Sequence, residues 1–385
     1  MIIDSHAYCF EPADDPAGHA DSETHRRWIQ ASYSVHHQPA IRLRDLARMP
    51  EATTALDPTG AHDLDHLPDR NLRFDGDEGR VLWEHDGETY TKYFYPPNLV
   101  NGAYTPMSLI SEMDYAGVDL ALLHTNPMLG AGEGYAEFLR DCIEAYPDRL
   151  RAMAPVDESR IADEPDLMLS RVERAIREHR LHALKFNASL AYMGCLDPWD
   201  DGPYRPFWQA MTSLGIPIFF TLGSRPSTIR GEASAQSEET SYLEELQTLV
   251  RWMNRYPDTI CSITHGFPYR MYRDGNRINL PSAVWEPFEN QNCHMEVCFP
   301  VRVGDWFDFP YKEVQSSLAE MVDKIGARRL LWGTDMPFQN RFCTYRQSRD
   351  WIEKYCGFLS EKDLAWIMGG TASQILSLGA TDRLR

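Results

Sequence analysis

The chain lacks the features that would place its 385 residues in several large classes of protein. No two of its eight cysteines are spaced C-x-x-C, and several sit inside apolar strand-like or helix-like runs, so they read as reduced, mostly buried thiols. No window approaches the ~18 uninterrupted apolar residues of a membrane span. No charged segment followed by a continuous apolar stretch opens the chain, and a cytoplasmic protein is expected. Basic residues are in deficit: 38 Lys plus Arg against 57 Asp plus Glu give a formal net charge of −19. A field of that sign repels phosphate backbones, which argues against nucleic acid as a partner. No internal repeat or low-complexity tract is visible, and 43% hydrophobic residues are enough to bury a sizeable core.

From residue 106 onward, short β-rich runs alternate with longer helix-like stretches, the pattern of repeated βα units around a parallel sheet. The strand candidates are residues 2–8, 119–124, 150–156, 183–187, 216–221, 259–265, 294–299 and 330–335. Eight strands separated by helices favour a (β/α)₈ barrel over a doubly wound sheet, with the whole chain as one domain. Residues 11–105 depart from this pattern and carry a hairpin signal, VLWEH and ETYTKYF around Asp86-Gly87. An insertion after the first strand lies on the face where barrel active sites form, so it is expected to act as a lid or an oligomer contact.

Several strands finish on a polar residue, and such positions converge at the catalytic face of a barrel. Strict alternation in MIIDSHAYCF places Asp4, His6 and Tyr8 on one face of the first strand. Later strand ends contribute His124, then Lys185 and Asn187, then Thr221 followed by Arg225, then His265 followed by Arg270, and finally Asp335. A carboxylate directly after the apolar run LLWGT needs a metal, an arginine or ordered water, or else caps the next segment. An ammonium between Leu184 and Phe186 needs an anion, from a substrate carboxylate or an inward acid. Glu296 shares a face with His294 and Cys298, but one strand alone does not say which face points inward. Tyr90, Tyr93, Phe94 and Tyr95 read either as hairpin packing or as a stacking surface for an aromatic ligand.

Five stretches together resemble the amidohydrolase-related superfamily, in the branch of aminocarboxymuconate-semialdehyde decarboxylase, the resorcylate-type decarboxylases and the pyrone dicarboxylate lactonase. They are IIDSH, LISEMDYAGVDLALL, ITHG around His265, LLWGTDMPF around Asp335, and the closing IMGGTASQIL, covering residues 1–10 and 106–375. The resemblance implies a (β/α)₈ barrel holding one divalent ion, zinc or manganese, with two histidines written H-x-H on strand one, a histidine ending strand five and an aspartate ending strand eight. His6 matches the first ligand, Asp335 the last, and His265 the catalytic histidine of strand six. Tyr8 and Thr221 stand where the other two histidines are expected, so a metal-free site is an equal reading. Asp4 is a further candidate ligand, because the decarboxylase members begin E-x-H at the spacing of Asp4 and His6.

The first reading of function is hydrolysis of a small carboxylated substrate, an aromatic one among the candidates. Asp335 activates water, His265 and Lys185 polarise the carbonyl with Tyr8 as a further catalytic group, and Arg225 or Arg270 holds the carboxylate beside Asn187, Thr221 and His124. The alternative is non-oxidative, metal-dependent decarboxylation of an aromatic acid, with Asp335 protonating the ring carbon. A third reading keeps the barrel as a non-catalytic binding protein. A small-molecule substrate and a homodimer are expected, with no nucleic acid or membrane partner.

Overall fold

The computed structural model describes residues 1–49, 64, 67–96, 99, 101–225 and 238–378. Eight strands form one parallel sheet in chain order: β1 (Ile3–Ala7), β2 (Leu120–Leu123), β3 (Leu150–Ala154), β4 (Ala183–Asn187), β5 (Ile218–Thr221), β6 (Cys261–Ile263), β7 (Cys293–Val297) and β8 (Leu330–Trp332). Strands covered on both faces need continuous apolar runs, and LALL, LRAMA and IFFT supply them. The sheet closes where Ala7 bridges in parallel to Met336, with Asp335 N–H donating to the His6 carbonyl at 2.7 Å and Tyr8 N–H to the Met336 carbonyl at 2.9 Å. The expected (β/α)₈ barrel is therefore the observed one.

Helices between the strands follow their end signals. Thr105 caps Pro106–Ala116 through the N–H of Ser108 at 3.1 Å, and Gly117 ends it at φ 72°. Inside the barrel, Ile3, Leu120, Leu122, Met153, Phe219 and Leu331 form an apolar layer. The closing segment adds Ile375 and Leu376 to it, so the lower end of the barrel is packed and the polar chemistry lies at the other end.

The insertion after β1 holds a helix, Ser22–Val35, and a five-stranded antiparallel sheet. Its hairpin is the one the sequence predicts: Arg80–His85 pairs with Glu88–Thr91, and Asp86 and Gly87 turn at φ 51° and 75°. Two positive φ values match the type I′ turn that a two-residue hairpin requires. Among the described residues no helix is long and apolar enough to cross a membrane.

Strand β1 breaks the alternation assumed for it. Its pairing with β2 steps from Asp4↔Ala121 to Ala7↔Leu123, three residues against two, which is a bulge. A one-residue slip reverses the faces beyond it. Ile3 therefore belongs to the inner apolar layer and Asp4 to the opposite side, while His6 and Tyr8 beyond the bulge face the interior.

Candidate active site

The residues that meet at the open end come from five strands. His6 and Tyr8 arise from β1, Lys185 from β4, His265 from just past β6, Glu296 from β7 and Asp335 from just past β8. Glu296 is the hub: fully buried, it lies 2.7 Å from His6 Nδ1 through Oε2 and accepts the His265 N–H at 3.0 Å. Its other oxygen stands 3.3 Å from His124 Nε2. A carboxylate can only accept, so the His6 proton sits on Nδ1 and the Nε2 lone pair faces the site, where the Tyr8 hydroxyl donates to it at 2.9 Å. Burial, reinforced by charge on His265 and Lys185, holds the His6 pKa well below the usual histidine value, so the ring is neutral.

Asp335 Oδ1 stands 3.3 Å from His265 Nε2 and 3.4 Å from His6 Nε2. The side chains of His265 and Asp335 are 16% and 13% exposed, whereas His6 and Glu296 are fully enclosed, so the first pair is what an incoming molecule touches. Both members sit in the left-handed backbone region, at φ 64° and 66°. Their N–H groups, fixed by Glu296 and by the His6 carbonyl, hold that conformation in place. Gly333 makes the crowding feasible, since a Cβ there would lie 2.8 Å from Cys298 Sγ and 3.0 Å from His6 Cβ.

Lys185 is buried and donates to the Tyr8 hydroxyl at 3.3 Å, with no carboxylate oxygen within 4.0 Å among the described residues. Burial lowers its pKa to about 8 against the pull of Glu296 and Asp335. Burial pushes the Tyr8 phenol well above its ordinary value, aided by the charges of Asp335 and Glu296, so it stays a proton donor.

His6, His265 and Asp335 offer three donor atoms within 4.8 Å of one another. Separations of 3.3 and 3.4 Å are those of two ligands each ~2.1 Å from one tetrahedral ion, and three protein ligands is the usual number at a catalytic zinc. With Glu296 fixing the His6 tautomer from behind, this donor set fits a divalent ion.

The other expected residues fall elsewhere. Asp4 is no ligand: on the far side of the bulge it accepts from Thr334 Oγ1 at 2.5 Å, Tyr345 OH at 2.6 Å, and the N–H groups of His6 and Thr334 at 3.0 Å. Arg225 is held by Glu245 at 3.0 Å and by Thr248 at 3.1 Å, a pairing with the helix Glu238–Arg255 rather than with a substrate. Thr221 is bonded to Thr264 at 2.8 Å. His124 is enclosed, stacked 3.5 Å from the His6 ring, and supports that ring instead of touching substrate. Asn187 caps Ala188–Gly194 through its Oδ1 yet still lines the cavity above the site. Glu296 was legible only as one of two faces, and Arg341, which stacks on Phe94 and Phe342, carried no sequence signal.

A cavity of about 640 Å³ lies over the barrel mouth, between the insertion helix (Trp28, Val35) and the loops after the strands (Asn126, Asn187, Arg270). His265, Lys185 and Asp335 do not line it, so the reactive cluster lies apart from its walls. Phe94, from the aromatic run of the insertion, is in its wall, packed 5.5 Å from Phe338, whose ring stands 5.7 Å from that of Tyr8.

A family model described as amidohydrolase matches residues 18–378. The gamma-resorcylate decarboxylase of Polaromonas sp. is 23% identical over 265 residues, 63% of this chain and 74% of that protein. Among solved structures, a dihydroxybenzoic acid decarboxylase from Polaromonas sp. JS666 with bound manganese and 2-nitroresorcinol has a TM-score of 0.51 at 19% identity, covering 74% of this chain and 90% of that one. An amidohydrolase from Burkholderia multivorans with bound zinc has a TM-score of 0.56 at 14% identity, covering 72% and 90%. A barrel closed by β1 and β8, with His6, His265 and Asp335 at its mouth and a family match over nearly its whole length, makes the chain a member of the amidohydrolase family.

Proposed function

We propose that the protein is a non-oxidative decarboxylase of a small hydroxylated aromatic acid. The observation that carries the reading is Lys185, a buried ammonium beside Tyr8 with no carboxylate oxygen within 4.0 Å among the described residues. An isolated buried charge is costly, and a substrate carboxylate would compensate it. The likeness to gamma-resorcylate decarboxylase supports loss of that carboxylate over hydrolysis.

Lys185 donates one hydrogen to Tyr8 and keeps two for the substrate carboxylate. Asp335 uses Oδ1 toward His265 and His6, and its Oδ2 makes no hydrogen bond among the described residues, which leaves that atom to carry a proton. Delivered to the ring carbon bearing the carboxylate, the proton forms a new C–H bond. The bond to the carboxylate then breaks, its electron pair restores the aromatic ring, and carbon dioxide leaves. His265 holds the Asp335 carboxyl in the geometry this transfer needs, and the general acid catalysis by Asp335 is typically worth about 10²–10⁴-fold. His6, His265 and Asp335 would hold a divalent ion, which when bound supplies Lewis-acid polarisation of substrate oxygens.

The test is product analysis with a panel of mono- and dihydroxybenzoates alongside aromatic lactones and amides, with manganese or zinc supplied. Release of carbon dioxide from at least one hydroxy acid is expected. Ring opening or amide cleavage without carbon dioxide release would restore the hydrolase reading.

A further inference from the structure

A second cavity, of about 520 Å³, shares His37 and Arg270 with the one above the barrel mouth. In a chain of net charge −19, its wall carries three guanidinium groups, those of Arg48, Arg270 and Arg341. Arg341 stands on the same loop as Asp335. Its Nε donates to the Phe338 carbonyl at 2.8 Å and its Nη1 to the Tyr93 carbonyl at 3.0 Å and to His36 Nε2 at 3.3 Å, while the Phe94 and Phe342 rings lie 5.7 and 5.0 Å from its carbon. No carboxylate oxygen among the described residues lies within 4.0 Å of it.

Arg270 lies 4.7 Å over the Trp306 ring, on which Arg273 also stacks at 4.8 Å. Its carboxylate contact is Asp305 at 3.5 Å, and that acid is already taken by His37 at 2.7 Å and by Gln38. One carboxylate thus serves several donors, and the positive charge around this cavity exceeds the negative. Arg270 and Arg48 are exposed, whereas Arg341 is largely desolvated, so its guanidinium is costly unless an anion joins it, and the forked donors of the three match an oxyanion in two-point contact.

We propose that this cavity is an anion subsite that takes a second acidic group, a carboxylate or similar oxyanion, of the same substrate. The assignment rests on the decarboxylase reading for the placement of the first carboxylate at Lys185. The substrate class is then an aromatic acid with a second anionic group distant from the reacting one. Trp306 and Phe342 supply apolar wall for the intervening ring or chain.

Calorimetric titration with benzoate, benzene-1,3-dicarboxylate and biphenyl-3,4′-dicarboxylate tests this without turnover. At least one dicarboxylate is expected to bind about tenfold more tightly than benzoate, a decade of affinity. Arg341→Met should remove that preference and leave benzoate binding unchanged, with Arg341→Lys retaining part of it, and Arg270→Met at the exposed rim should weaken the preference. Equal or undetectable binding of all three acids by the wild type, or a preference that survives both substitutions, overturns the subsite. Carbon dioxide release from a monocarboxylate without any dicarboxylate preference would overturn the subsite alone, and a preference without carbon dioxide release would overturn the decarboxylase reading alone.

Discussion

The Nδ1 atom of His6 lies 2.7 Å from Oε2 of Glu296, and this buried contact turns the imidazole lone pair toward the barrel mouth. Glu296→Gln replaces a pure acceptor by an amide that can present either end, and the His6 tautomer is no longer fixed. Loss of such a supporting carboxylate typically costs 10–100-fold in metal affinity or activity. The expected outcome is a fall in kcat of that order, with an altered His6 ¹⁵N signature in NMR and a native circular dichroism spectrum.

Lys185 gives a pH dependence whose sign can be worked out. Its pKa is about 8 in the folded protein against a reference value of 10.5, so the ammonium needed for carboxylate binding is lost as pH rises through about 8. KM should climb above that pH. The unfolded chain binds more protons between about 8 and 10.5, so the contribution of Lys185 to stability rises with pH across that window. Lys185→Met should raise KM by about tenfold or more, the worth of one charged hydrogen bond, while raising Tm because the buried charge is gone. A KM profile flat through pH 8 would contradict the role.

Asp4 works in the opposite direction. Burial lifts its pKa to about 7 against the Thr334 and Tyr345 hydroxyls and the His6 N–H, which hold it down, so the folded state binds the extra proton between about 3.8 and 7. Its contribution to stability is therefore greatest below that window and is lost as pH rises through about 7. Asp4→Asn sets an amide against the N–H groups of His6 and Thr334, and a drop of about 1–3 kcal/mol in unfolding free energy is expected, with metal affinity unchanged. Denaturant unfolding and a zinc titration of the same variant check both halves.

The contrast between Asp4 and His6 shows what could be read before the structure. All eight barrel strands, the Asp86-Gly87 turn, and the meeting of His265 with Asp335 follow from local apolar runs and strand ends, which sequence encodes directly. The bulge in β1 leaves no composition signal, and it alone reverses the face of Asp4. Arg225 belongs to Glu245 because a helix folds back against the β5 loop, and Glu296 becomes the hub because three other strands or their loops converge on it. Such long-range pairings have no period. Arg341, beyond the strand end that carries Asp335, is charged but gains its meaning only from the cavity it borders.

Tyr8 occupies the position next to the His6 lone pair, with its hydroxyl 2.9 Å from Nε2. Tyr8→His replaces a hydroxyl that donates to that nitrogen by a second imidazole, a good ligand for zinc. Zinc affinity measured by competition with a chromophoric chelator should rise by about tenfold or more, an added ligand being worth at least 1.4 kcal/mol. Unchanged affinity would place the ion, when bound, away from His6.

Asp335 as the proton donor to the ring carbon is the centre of the account, and solvent-isotope labelling tests it most directly. With a hydroxybenzoate that releases carbon dioxide, the product formed in D₂O should carry one deuterium at the carbon that bore the carboxylate, and Asp335→Asn should abolish both the label and the release while keeping the native fold. Carbon dioxide release retained by Asp335→Asn, or a decarboxylated product without deuterium at that carbon, would contradict it.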